Sequence, residues 1–584
     1  MTTRRCAVNV LASGLLVAAC SSGPSEAGDR TNDGVSDPGT RPSAATTADA
    51  RPGPSRIEFV DVAREVGLDF EHGAFRWDVT PDPAAMQGAG VCWLDYDGDG
   101  WLDLFAVNSY ADDETDRWEQ DGGLPRSALF HNVGGSFVDV SDASGADLDV
   151  RGNGCVAADL DLDGHTDLYV TSADSGALLW NEGDGTFTEG AGEAGAPAVG
   201  WYAGAAVGDV DGDGWPDLFL AGYANPDSPV EGATQGFPNT VTGVRDLLYL
   251  NEGRADGGHV TFREVGMEAG LEVAGYEYGL GALFSDLEGD GDLDLYVAND
   301  TKPNRLYDNV PWPGGPDADP AGLGFRFEEL AARAGVADPN AGMGVAEADY
   351  DGDGRADLFV TNARGQVHGV FRGERSEMVD PSFVDVRREL GPDLGAATGW
   401  GVSWGDLDLD SDVDLVIANG AIPVRDLTAD AQPLQAFGNL TAQGSSARFE
   451  DVGRAAVGRV GPLLARGSAA ADFDNDGDLD VAVGTVGGPL VLLENTAASG
   501  NWLEVELEGF FPGAVITASL PGGQKLAREV RAGSSYLSSE DPRAHFGLGD
   551  AAAVRELVIS WPDGERTAID DVEANQVVVV EPPG

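Results

Sequence analysis

Apolar residues along this chain fall in short runs broken by turns rich in Asp and Gly. The runs GVCWLD, ending at Asp95, and DLFAVN, from Asp103, read as two strands around one such turn. The second run recurs after similar turns as DLYVTS, DLFLAG, DLYVAN, DLFVTN, DLVIAN and DVAVGT. A glycine stands five residues before every turn, at Gly90, Gly154, Gly204, Gly281, Gly344, Gly401 and Gly467. Glycine at a fixed strand position marks close approach of neighbouring backbones. A third run often closes on Asn (Asn132, Asn181, Asn251, Asn309, Asn495), and a fourth reads F-x-[DE]-V or similar, as at 137–140 and 383–386.

Four strands repeated seven times predict an all-β, seven-bladed β-propeller over residues 56–498, with the glycine-marked strands crowding its axis. The seventh copy lacks its fourth strand, and Phe59-Val60-Asp61-Val62 matches the missing block. The first strand is therefore expected to complete the last blade and remove the open edge. Over 499–584 the alternating WLEVEL, LVISW and QVVVV, set between PGG, AGSS and PDG turns, predict a small antiparallel β domain.

The turns carry the chemistry. D-x-[DE]-x-D-x-x-x-D occurs at Asp95-Asp97-Asp99-Asp103, Asp159-Asp161-Asp163-Asp167, Asp209-Asp211-Asp213-Asp217 and Asp286-Glu288-Asp290-Asp294, which we number loops 1 to 4. Loops 5 to 7 are Asp349-Asp351-Asp353-Asp357, Asp406-Asp408-Asp410-Asp414 and Asp472-Asp474-Asp476-Asp480. Calcium takes about 6–8 oxygens at roughly 2.3–2.6 Å, which a tight loop supplies from side chains at positions 1, 3 and 5 and a main-chain carbonyl at position 7. Trp101, His165, Trp215, Asp292, Arg355, Asp412 and Asp478 hold position 7, so they are expected to contribute carbonyls only. Asp at position 9 and flanking strands separate these loops from helix–loop–helix sites, and all-oxygen ligation disfavours zinc and copper. The expectation is up to seven structural Ca²⁺ ions, with the alternative that the aspartates only shape turns. Glu288, longer than Asp, and Ser411, replacing glycine at position 6, mark the two loops expected to be weakest.

One hundred acidic against 35 basic residues give a net charge of −65. Such a surface repels nucleic acid and anionic lipid, which argues against both as partners and leaves the membrane to a lipid anchor. Arg4 and Arg5 precede an apolar run from Ala7 to Ala19, too short to span a bilayer, which reads as an export signal over 1–20. Its end, Val17-Ala18-Ala19-Cys20, resembles a bacterial lipobox, which implies lipidation of Cys20 and attachment to the cell envelope, at the surface or facing the periplasm. Residues 21–55, rich in Ser, Pro and Gly, read as a disordered tether. Two further cysteines, Cys92 and Cys155, lie three and four residues before their loops and so point to opposite strand faces. That parity is what a disulfide between adjacent blades needs; two buried free thiols are the alternative.

The D-x-D-x-D-G-x-x-D-L loops resemble FG-GAP/VCBS repeats, as in integrin α-subunit propellers. NWLEVELEG (501–509), REVRAGSSYLSSEDPRAHFGLGD (528–550) and LVISWPDGERTAIDDVEANQVVVV (557–580) resemble the ASPIC/UnbV domain. Together they are similar to the cartilage acidic protein-like family. The segment GFFPGAVITASL at 509–520 is shorter than that family's usual Gly-rich stretch, so no binding role transfers to it.

No catalytic set emerges. Gly401-Val402-Ser403-Trp404-Gly405 fits G-x-S-x-G, but Ser403 falls within a predicted inner strand, not at a strand-to-helix turn. His545 precedes Phe546-Gly547-Leu548-Gly549 in the ASPIC-like segment, where a structural role is expected. Trp201, Tyr202, Tyr276, Tyr278 and Trp400 precede inner strands, where they either line the propeller mouth or pack between blades. The expected work is recognition of a protein or glycan at the cell surface. A polysaccharide-acting enzyme and a structural subunit of an envelope complex are the alternatives.

Overall fold

The computed structural model describes residues 4–5, 56–254, 258–271, 277–376, 378–388, 394–440 and 449–583. Cys20, most of the export signal, the 21–55 tether and Tyr276 lie outside the described residues.

Each repeat folds as a four-stranded antiparallel sheet, and the described residues form seven of them. In the second repeat, Gly152–Ala158, Asp167–Ser172, Ala177–Asn181 and Phe187–Glu189 pair in chain order. The first two strands are buried throughout, because neighbouring sheets cover both faces; such strands need continuous apolar runs. The fourth is buried only at its Phe, which explains the F-x-[DE] alternation. Inner strands of successive sheets touch in turn, and the last, Ala465–Ala471, touches the first, Val91–Leu94, so the ring closes. Phe59–Asp61 completes the last sheet by pairing with the Val491–Asn495 strand, Phe59 opposite Asn495. This is an all-β propeller.

The axial glycines have no room for a side chain. A Cβ on Gly344 would lie 2.3 Å from the Trp400 carbonyl oxygen, and one on Gly281 would lie 2.3 Å from that of Met343. The cysteine sulfurs of Cys92 and Cys155 are bonded across the first two sheets, with Cα atoms 6.1 Å apart.

Residues 501–580 form two small sheets around a core that includes Leu503, Ile516, Phe546, Leu557 and Trp561. One pair departs from the expected antiparallel pattern: Asn501–Leu507 and Val577–Val580 run parallel. These strands stand at opposite ends of the domain's chain, and the path between them passes through the other sheet, so no hairpin dictates their direction.

Between strands Lys525–Glu529 and Ala544–Gly549 the chain leaves this domain and enters the ring axis. Ala532, Ser535, Leu537 and Ser539 exchange main-chain hydrogen bonds with inner strands: the N–H of Val207 donates to the Ala532 carbonyl, Cys155 to Leu537 and Trp93 to Ser539. Val345 and Ser535 bond reciprocally. Tyr536 is fully buried, its ring 4.9 Å from Trp400. We call residues 532–541 the plug.

The plug also decides the fate of the candidate mouth aromatics. Trp201, Tyr202, Tyr278 and Trp400 are 2%, 5%, 1% and 1% exposed. They pack between blades and, through Trp400, against Tyr536, so they offer no open stacking surface.

Gly344→Ala is expected to cost about 1–3 kcal/mol by overpacking the axis. Gly192→Ala, with nothing within 4 Å of the added carbon, should leave stability nearly unchanged. Paired denaturant melts check this, and equal stability for the two variants would overturn the crowded-axis account.

Candidate metal centres

All seven Asp-rich loops join the inner strand of a sheet to its second strand. In loop 1, Asp95 accepts hydrogen bonds from the main-chain N–H groups of Gly98, Asp99 and Gly100 at 2.8, 3.1 and 2.9 Å. This wraps the loop around its first carboxylate. The position-5 carboxylate accepts the N–H of position 7 in every loop, from Trp101 to Asp99 through Asp478 to Asp476. The wrap needs left-handed backbone at position 4 as well as position 6. Position 4 is Leu162, Leu409 or Asn475 in loops 2, 6 and 7, at φ 54°, 59° and 56°. Ser411 takes the position-6 conformation at φ 82°, and its N–H still donates to Asp406 at 2.8 Å.

Position 9 is the most constrained. Asp103 is fully buried; one oxygen accepts the N–H of Tyr96 and the other that of Asn132, at 3.0 and 2.7 Å. The same pair of bonds holds Asp167, Asp217, Asp294, Asp414 and Asp480. The Asn at the end of the third strand then reaches across the ring. Its Nδ2 donates to the carbonyl at loop position 2 of the preceding sheet: Asn181 to Tyr96, Asn251 to Leu160, Asn309 to Val210 and Asn439 to Tyr350, with Asn495 to Leu407 and Asn132 to Phe473 closing the circle. One clamp is missing. In the fifth sheet Gly373 supplies the main-chain N–H to Asp357 and has no side chain to reach the fourth.

The carboxylates converge. Oxygens of Asp159, Asp161 and Asp167 lie within 4.8 Å of one another, as do those of Asp209, Asp211 and Asp217 and those of Asp95, Asp97 and Asp99. Burial, more than neighbouring charge, pushes four other loop carboxyls up: Asp103 and Asp412 to about 7, Asp478 to about 8 and Asp357 to about 9. Asp351 Oδ1 and Asp408 Oδ1 are buried without any hydrogen bond. Oxygen-only sets of this shape fit a hard divalent cation. Positions 1, 3 and 5 with the position-7 carbonyl would ligate it, and it would supply the charge that offsets this burial.

Three loops have neighbours the sequence did not reveal. His131 Nδ1 lies 3.1 Å from Asp103 Oδ1 in loop 1. In loop 2, Asp161 is paired with Arg254 at 3.0 Å and His259 at 2.9 Å, the imidazole lying flat on Trp180. In loop 4 Glu288 reaches past the loop, gathering with Asp294 and Asp308. Asn132, Asn181, Asn251, Asn309 and Asn495 were visible as strand-end markers, but their acceptors are main-chain carbonyls with no sequence signature. Ser403 lies within the continuous Gly399–Gly405 strand, 2% exposed, with no nucleophile elbow.

Comparison with known families fits this geometry. Residues 95–170, 159–220 and 286–360 match the model of the FG-GAP-like repeat, and 508–584 match that of ASPIC and UnbV. The chain carries FG-GAP-like repeats and an ASPIC/UnbV domain. Cartilage acidic protein 1 of Mus musculus is 27% identical over 474 residues, covering 74% of this chain and 65% of that protein. Its Homo sapiens counterpart is 26% identical, covering 74% and 64%. The chain thus spans about two thirds of the length of these relatives. Among solved structures, an Agrocybe aegerita lectin described for recognition of non-reducing terminal N-acetylglucosamine aligns at 14% identity and TM-score 0.36, over 70% of this chain and 93% of the lectin. A Trypanosoma rangeli sialidase in complex with sialic acid aligns at 11% and 0.31, over 63% and 56%.

The ASPIC/UnbV domain is built against the FG-GAP-like loops. Gly549 N–H donates to the Leu409 carbonyl, and Gln524 to that of Ser411, in loop 6. His545 Nε2 lies 3.0 Å from the Gly477 carbonyl, and Arg543 donates to that of Asp472, in loop 7. Loop 6, expected to be weak because of Ser411, and loop 7 are both covered by this domain; Asp406 and Asp472 are 1% and 0% exposed.

A carboxyl whose pKa rises on folding holds its proton more tightly when folded. Its stabilising contribution is full below the ordinary carboxylate range and is lost as pH climbs through the raised value. Chelator-treated protein should therefore lose stability from about pH 4 upward, and the loss should continue through the value of about 9 for Asp357. With calcium present, stability should instead fall toward acid, where protons displace the cation. Thermal melts across pH in both conditions check the two slopes, and parallel curves would refute the cation reading.

Proposed function

We propose that this protein is an exported, lipid-anchored recognition module whose FG-GAP-like loops hold structural calcium. The observation that carries the reading is the repeated convergence of loop carboxylates, buried in the Asp159, Asp161 and Asp167 cluster of loop 2 and at position 9 in every sheet, in loops whose wrapping recurs from sheet to sheet. Burying several carboxylates within 4.8 Å without a counter-ion is costly, and one divalent cation per loop removes most of that cost. Calcium here does no chemistry; it sets loop geometry and, through the Asn clamps, the spacing of the sheets.

Support for an extracellular setting comes from the Cys92–Cys155 bond, which belongs in an oxidising compartment, and from relatives named for cartilage. No helix among the described residues is long and apolar enough to cross a membrane; Cys20, at the end of the lipobox-like segment, is the proposed point of attachment. With the axis filled by the plug, recognition falls to the outer rims and the ASPIC/UnbV domain, and the partner is a protein or a glycan of the cell surface.

Elemental analysis of purified residues 56–584 is expected to find five to seven calcium ions per chain, with a large drop in melting temperature on chelation. Zero or one ion and an unchanged melt would remove the basis of the proposal. In cells, Cys20→Ala is expected to move the protein from the membrane fraction to a soluble one. That released protein, applied to glycan and protein arrays, should hold a ligand in calcium and lose it in chelator; binding indifferent to chelator would separate recognition from the loops.

A further inference from the structure

The missing clamp between the fourth and fifth sheets coincides with a cavity of about 350 Å³ enclosed by loops 4 and 5, Trp404 and the two stems of the plug. That volume is at the small end of the range for small-molecule sites, about 300–1,000 Å³. Exposed Gly289 and Gly354 mark the opening between the two loops. The ASPIC/UnbV domain lines the inner wall. Arg531 is ion-paired with Glu347, and Glu529 accepts a hydrogen bond from Ser285 Oγ at 2.7 Å.

Several polar groups of the lining lack partners. Trp404 Nε1 and Arg531 Nε are buried donors with no acceptor; Glu529 Oε2 lies 3.8 Å from Arg531 Nε, beyond hydrogen-bond reach. His545 donates from Nε2 to Gly477, which leaves Nδ1 as an unused acceptor. Arg528 bonds only to main-chain carbonyls of His545 and Ala527 among the described residues, with its guanidinium carbon 5.3 Å from the Phe546 ring. Leaving buried donors and acceptors unmatched costs about 1–3 kcal/mol each, so a cavity lined by them favours an occupant that matches them.

The mixture selects the occupant. An anion would meet Glu347 and Glu529, and a cation would meet Arg528 and Arg531. A hydroxyl both donates and accepts, so a polyhydroxylated ligand satisfies this wall without a net charge. Trp404, its ring packed against Tyr350, Phe359 and Phe449, adds the Nε1 donor to this wall. We propose that this chamber binds the terminal one or two sugar units of a glycan. The assignment rests on the recognition reading above and narrows its ligand class.

The test uses the full exported chain in calcium and titration calorimetry with free glucose, galactose, mannose, N-acetylglucosamine, maltose and cellobiose. At least one is expected to bind, and Arg528→Gln and Trp404→Phe should each weaken it about tenfold or more with an unchanged melt. Hydrogen exchange on the unaltered chain guards against variants that misfold: the bound sugar should protect the segments around Glu347 and Arg528–Arg531. Sugar binding that leaves those segments unprotected, or that both variants retain, would overturn the chamber. No sugar binding, with array ligands that are proteins, would also overturn it while the wider recognition reading stands. An array without any ligand would instead bring down the wider reading.

Discussion

Everything in this molecule hangs on one buried carboxylate per sheet, the Asp at loop position 9. Its two oxygens are taken by main-chain N–H groups, one from the loop and one from the end of the third strand. That same strand end usually carries the Asn that grips the preceding sheet. Loop shape, strand register and spacing around the ring are therefore a single mechanical problem, solved at one atom pair. A carboxylate this deep is costly if ionised and uncompensated, so whatever neutralises the loop also tensions the ring.

The plug solves the complementary problem at the axis. Seven inner strands brought together at glycines leave main-chain groups facing the centre, and such groups must be paired. The second domain pairs a set of them from a single loop, with Tyr536 filling the space beside Trp400. The two domains thus share a core, and the interface carries ion pairs such as Arg531–Glu347 that neither domain could satisfy alone.

Features set by local chemistry were legible in the sequence. The Asp loops, axial glycines and displaced first strand recur or match at fixed spacing, because each obeys a rule acting within a few residues. The plug was not legible: AGSSYLSSE has no periodicity, and its partners are main-chain groups of distant strands. That hidden loop is also why Trp400 read as a possible mouth residue. The left-handed backbone at position 4 was masked because Leu162, Leu409 and Asn475 stand where glycine announces it elsewhere. Arg254 and His259 approach Asp161 from an adjacent sheet, a relation no spacing rule encodes.

Because Phe59–Asp61 must meet Val491–Asn495, the ring cannot be completed until all seven repeats have been made, and the plug arrives later still in the chain. Phe59–Asp61 waits through the making of every other repeat strand before it finds its partner. Pairings this distant along a chain are slow to form and leave edges open meanwhile. The plug, made after all seven repeats, acts as a keystone, so the moment of maturity is set by the ASPIC/UnbV domain.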